Sequence, residues 1–61
     1  MSRCRVLLVD DSCTFLRLAA RFLRQCTDVI VAGTVQGGRE ALARTQALQP
    51  DLVLIDLKMP E

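Results

Sequence analysis

Two stretches of this chain share one pattern, and together they restrict its fold more than any other feature. Val6-Leu7-Leu8-Val9 runs into Asp10, and Leu52-Val53-Leu54-Ile55 runs into Asp56. A short unbroken apolar run, rich in branched side chains, reads as a strand buried on both faces, as in parallel sheets. Open α/β sheets gather their chemistry at the carboxyl ends of such strands, where both acids stand. Pro60, four residues past Asp56, closes off regular structure there.

What lies between the two runs fixes the topology. Cys13 to about Thr27 has the spacing of a helix, with Phe15, Leu16, Ala19, Phe22, Leu23 and Cys26 on one side. Arg17, Arg21, Arg24 and Gln25 fall on the other side as a solvated face, Leu18 lies at the flank, and Asp28 breaks the pattern. Val29 to Val35 reads as a second strand, but Gly33 and Thr34 interrupt it, so it suits a sheet edge. Gln36-Gly37-Gly38 makes a turn. A second helix follows from about Arg39 to Leu48, with Ala41, Leu42, Thr45 and Leu48 inward, and Pro50 ends it.

The order strand, helix, strand, helix, strand makes two right-handed crossovers. With the strongly apolar strands central, the spatial order is second, first, third, and the helices fall on opposite faces. This is half of a doubly wound, flavodoxin-like α/β sheet. Its switch point lies between the first and third strands, and Asp10, Asp11 and Asp56 converge on it. Asp10, Asp11 and Ser12 alone could equally be caps for the helix that follows. Three acids meeting at a switch point ask for more than capping.

The totals remove several function classes. At 61 residues the chain is one small domain, marginal alone. A net charge of +1 gives no electrostatic case for nucleic acid or a membrane surface. No apolar run is long enough to span a bilayer, and no signal peptide is visible, which points to the cytoplasm. Cys4, Cys13 and Cys26 are too widely spaced for a metal knuckle, and no histidine is present to complete one or to serve a catalytic triad. Gly33, Gly37 and Gly38 form neither a dinucleotide fingerprint nor a phosphate loop.

Crowded carboxylates repel one another, and a hard divalent cation relieves the repulsion. Mg²⁺ takes one or two carboxylates together with water and phosphate oxygens. With such an ion in place a carboxylate can attack a phosphoryl donor in line. Asp56, alone at the tip of its strand, is the natural nucleophile, and Asp10 and Asp11 are the natural ion ligands.

Val-Asp-Asp-Ser after the first strand, Gly-Arg-Glu-Ala-Leu in the second helix, and Pro-Asp-Leu-Val-Leu-Ile-Asp-Leu-Lys-Met-Pro at the end carry a resemblance. The chain resembles the receiver domain of two-component response regulators, in pattern closest to those with a helix-turn-helix output domain. The resemblance implies that Asp56 accepts a phosphoryl group from a histidine kinase. It implies that Asp11 holds Mg²⁺ directly and Asp10 through water, and that the Lys58 backbone carbonyl completes the ion's protein ligands. It implies a signalling module, not an enzyme. A receiver continues with a fourth strand ending in Thr or Ser and a fifth ending in Lys, so residues 1–61 correspond to a truncated receiver, its first half. Lys58 is the only nearby cation to stand in for the missing lysine.

An open apolar flank on the third strand predicts completion by dimerisation, most simply third strand against third strand, antiparallel, or by exchange of a strand or helix. The alternative function is a self-assembling structural or interaction half-domain, a homodimer or a decoy for full receivers, without phosphoacceptor activity.

Overall fold

In a computed structural model, residues 3–55 are described, and they fold as anticipated in outline. The elements are β1 (Cys4–Val9), α1 (Cys13–Arg24), β2 (Val29–Val35), α2 (Gly38–Leu48) and β3 (Leu52–Ile55). The three strands form one parallel sheet in the order β2-β1-β3. The sheet is open rather than closed, and β3 is one of its edges.

β1 is central because it is apolar on both faces, and each face has its own core. Val6 and Leu8 meet Leu16 and Ala20 of α1 on one side. Leu7 and Val9 meet Val35 and Ala41, beneath α2, on the other. The helices therefore lie on opposite faces, as two right-handed crossovers in opposite directions require.

β2 is an edge strand with a defect. Val6 pairs with Val31 but Leu7 pairs with Gly33, so Ala32 is an extra residue in a bulge. A Cβ on Gly33 would sit 3.1 Å from a Leu48 methyl and 3.4 Å from one of Leu7. The missing side chain is what lets α2 approach the strand.

Each helix differs from expectation at one end. α1 stops at Arg24, short of Thr27, because its last turn tightens: the Gln25 N–H donates to Phe22 O at 3.2 Å and the Cys26 N–H to Leu23 O at 2.9 Å. α2 begins one residue earlier than predicted, at Gly38. It ends at Leu48 as expected, and the following Gln49, in the left-handed region (φ 48), donates its N–H to Thr45 O at 2.9 Å.

The expected inward faces are also corrected. Leu42, predicted to face the core, is 69% exposed. In α1, Leu16 and Ala20 are buried, whereas Phe15, Phe22 and Cys26 are exposed. Helix α1 packs on β1 and β2 and leaves β3 uncovered. Among the described residues, no helix packs beside α1 over β3.

Candidate functional site

The loop after β1 is built by four hydrogen bonds, one to β2 and three within the loop and the first turn of α1. The Asp10 N–H donates to Val35 O at 3.1 Å, which extends the β1–β2 ladder by one rung. The Ser12 N–H donates to Asp10 Oδ1 at 2.8 Å, closing a turn through the side chain. Ser12 then caps α1: its Oγ accepts from the Phe15 N–H at 3.1 Å and its carbonyl accepts from the Leu16 N–H at 3.0 Å.

These bonds divide the three polar residues between two jobs. Capping falls to Ser12. Asp10 is 3% exposed and braces the loop, while Asp11 is exposed and makes no hydrogen bond or ion pair among the described residues. Capping therefore does not account for Asp11.

The acidic loop lies at the carboxyl ends of two neighbouring strands. Val6 pairs with Leu52 and Val9 with Ile55, so β1 and β3 finish level with each other. Asp56 and Lys58, the other two predicted site residues, lie outside the described residues. Carboxylate oxygens are donors suited to a hard divalent ion. Among the described residues no group of three or more acids, histidines or cysteines gathers, so Asp10 and Asp11 are the described part of any such set.

Beside this loop runs a feature that the sequence reading missed. A groove of about 600 Å³ extends from Asp10 and Asp11 between α1 and β3, with Leu8 as its floor and Phe15, Phe22 and Leu54 in its walls. Phe15, Leu18 and Phe22 fall at i, i+3 and i+7, a second apolar stripe that the sequence does carry. On the far side of α1, Arg17, Arg21 and Arg24 are exposed, as a solvated face should be. No described helix is long and apolar enough to cross a membrane. The three cysteines are free thiols.

Comparison with known proteins agrees with this geometry. Residues 6–61 match the model of the response regulator receiver domain family. A protein-glutamate methylesterase/protein-glutamine glutaminase from Bacillus licheniformis is 41% identical over 56 residues, 92% of this chain and 16% of the relative. One from a Nocardioides species is 46% identical over 57 residues, 93% of this chain and again 16% of the relative. The signal receiver domain of the putative response regulator NarL from Mycobacterium tuberculosis superposes with a TM-score of 0.88 at 33% identity, covering 98% of this chain and 48% of that one. A chain of the complex between the P1 domain of CheA3 and CheY6 from R. sphaeroides superposes at 0.87 and 32% identity, covering 98% and 47%. The chain thus spans about half the length of these solved structures and a much smaller share of the methylesterases. On sequence, topology and superposition alike, the chain belongs to the response regulator receiver domain family.

Proposed function

We propose that residues 1–61 form the first half of a receiver module of two-component phosphorelay signalling, in which Asp56 accepts a phosphoryl group from a histidine kinase in the cytoplasm. Asp11 would hold Mg²⁺ directly, Asp10 through water, and the Lys58 backbone carbonyl would complete the protein ligands. The observation that carries the reading is the register of β1 on β3: Val9 beside Ile55 brings the acidic loop level with the last described residue before Asp56. The buried, loop-bracing Asp10 beside the exposed Asp11 also supports the division of labour.

The P–N bond to the kinase histidine breaks and a P–O bond to an Asp56 carboxylate oxygen forms. The imidazole nitrogen keeps the electron pair. Magnesium, when bound, neutralises charge on the transferred group. Buried Asp10 keeps the loop in shape, and exposed Asp11 is the acid with a coordination shell to give.

Incubation with acetyl phosphate and Mg²⁺ tests this. One phosphoryl group should be gained by mass, and Asp56→Asn should gain none. Equal behaviour of the two proteins would reject the reading.

The exposed apolar groove favours a second reading: a self-assembling half-domain, a homodimer or a decoy for full receivers, whose acids are idle. Dimerisation indifferent to Mg²⁺ and to Asp56→Asn, in a protein that takes up no phosphoryl group, is its signature.

A further inference from the structure

We propose that Arg5 and Asp51 are positioning residues for the acceptor: they set the register of β3 on β1 and, through it, the height of Asp56 beside Asp10 and Asp11. This rests on the acceptor reading above and adds what aligns the two strands, from the end of the sheet far from the acids.

The apolar runs do not state a register by themselves. Side-chain pattern fixes pairing where apolar and polar positions alternate, because a slip of one residue then turns the polar set inward. Val6-Leu7-Leu8-Val9 and Leu52-Val53-Leu54-Ile55 have no polar position to turn. A slip exchanges one branched aliphatic side chain for another of similar volume, and such exchanges cost little. Groups outside the runs must choose among the pairings.

Those groups stand directly before each run. The Arg5 N–H donates to Asp51 Oδ2 at 2.8 Å, and the Asp51 N–H donates to the Arg5 carbonyl at 2.8 Å. Arg5 Nη1 donates to Leu48 O at 2.6 Å and to Gln49 O at 3.0 Å, so the end of α2, which feeds β3, is held by the same residue. A slip of one residue moves β3 by about 3.3 Å, and a hydrogen bond of ordinary length does not survive that displacement. The observed pairing, Val6 with Leu52 through Val9 with Ile55, is the one that keeps the Arg5–Asp51 bonds.

The spacing to the acids is the same on both strands. Asp10 stands five residues after Arg5, and Asp56 stands five after Asp51. Two strands that leave a common lock and run for about 16 Å each finish level. One step out of register sets Asp56 about 3.3 Å too high or too low, and a misplacement of about 1 Å can already cost on the order of 10²-fold in rate. Neither Arg5 nor Asp51 touches the ion or the phosphoryl group, since both lie at the amino ends of the strands.

The double variant Arg5→Met/Asp51→Ala tests the lock in the full chain. It is compared with the wild type, with Arg5→Lys/Asp51→Asn, which keeps a cationic donor and an oxygen acceptor, and with Leu23→Ala, which weakens packing on the α1 side of the sheet. Each is read at a temperature where circular dichroism shows it fully folded. Phosphoryl uptake from acetyl phosphate with Mg²⁺ should fall at least ~10-fold in Arg5→Met/Asp51→Ala and stay near the wild type in the other two. Backbone nuclear Overhauser contacts between Val9 and Ile55 should be lost in the same variant alone. Uptake as fast as in Leu23→Ala, or a Lys/Asn pair no better than the Met/Ala pair, overturns the proposal. A wild type that takes up no phosphoryl group rejects the acceptor reading instead, and the Val9–Ile55 contacts then decide the lock: lost in the Met/Ala pair they support it, kept they overturn it. Should the Met/Ala pair not fold, hydrogen exchange on the wild type decides. An Arg5 amide as protected as that of Leu7 supports the lock, and one that exchanges like a solvated amide overturns it.

Discussion

Arg5 and Asp51 clasp each other through the start of the β1–β3 pairing. The Arg5 N–H donates to Asp51 Oδ2 at 2.8 Å, and the Asp51 N–H donates to the Arg5 carbonyl at 2.8 Å. The Arg5 guanidinium meanwhile reaches the end of α2, where Nη1 donates to Leu48 O at 2.6 Å and Gln49 O at 3.0 Å. One residue thus ties the first strand to the last helix turn and to the last strand. These carbonyls are among those a helix leaves unsatisfied, and a cation there also opposes the helix dipole.

Arg5→Met keeps the aliphatic stem and removes both guanidinium bonds. Because the contacts are part-buried to exposed, the loss should be about 1–2 kcal/mol, below the upper range for bonds to charged groups. Asp51→Ala removes the acceptor for the Arg5 N–H and should cost about 1 kcal/mol. Urea denaturation measures both. Variants as stable as the wild type would mean that the clasp contributes nothing.

Gly33 separates two substitutions that look alike. Alanine there brings a Cβ to 3.1 Å from the end of the Leu48 side chain, which is half-buried and can turn aside. Reduced freedom of the unfolded chain returns about 0.4–1 kcal/mol, so Gly33→Ala should be nearly neutral. Valine adds bulk against Leu7, which is fully buried and cannot move, and should cost about 1–3 kcal/mol. Thermal unfolding of the pair checks this, and equal midpoints would show that the space over Gly33 is not limiting.

Strand order and helix sides were legible because β3 and the Val6–Val9 run of β1 are apolar throughout while β2 carries Gly33 and Thr34 in mid-run. Register and helix packing were not. The bulge at Ala32 leaves no mark in an apolar run, and Arg5 at a strand's start looks like any solvent-facing residue. In α1 the error has a clear cause. Phe15 and Phe22 share helical spacing with Leu16 and Ala20, and periodicity cannot tell a side that meets a sheet from a side that meets empty space. The site was half legible: the acids stood out at the strand ends, but the assignment of capping to Ser12 depends on bond geometry that sequence does not fix.

That assignment gives a sharp substitution. Ser12→Ala removes the oxygen that accepts the Phe15 N–H and should cost about 1 kcal/mol, whereas Ser12→Asp keeps an acceptor and adds favourable charge at the helix start. Aspartate should therefore recover most of the loss. Recovery should fade as salt rises if charge is the source. Equal destabilisation by alanine and aspartate would mean that the cap is not what Ser12 provides.

Asp11 carries the last prediction, because it is exposed, unengaged among the described residues and next to a buried acid. In the proposed site Asp11 is the acid that binds Mg²⁺ directly. Mg²⁺ at a hundred times its dissociation constant should stabilise the wild type by about 2.7 kcal/mol, and the shift should grow with concentration as simple linkage requires. Asp11→Asn should lose most of that increment and, in the absence of the ion, should be no less stable than the wild type, since no bond among the described residues is lost. Asp28→Asn is the control: Asp28 sits at the amino end of β1, where its carbonyl accepts the Cys4 N–H at 2.8 Å, at the opposite end of the sheet from Asp11. Thermal unfolding with and without Mg²⁺ compares the three. An ion-induced shift of equal size in Asp11→Asn and the wild type would remove Asp11 from the ion site, and a shift lost in Asp28→Asn would move the site to the other end of the sheet.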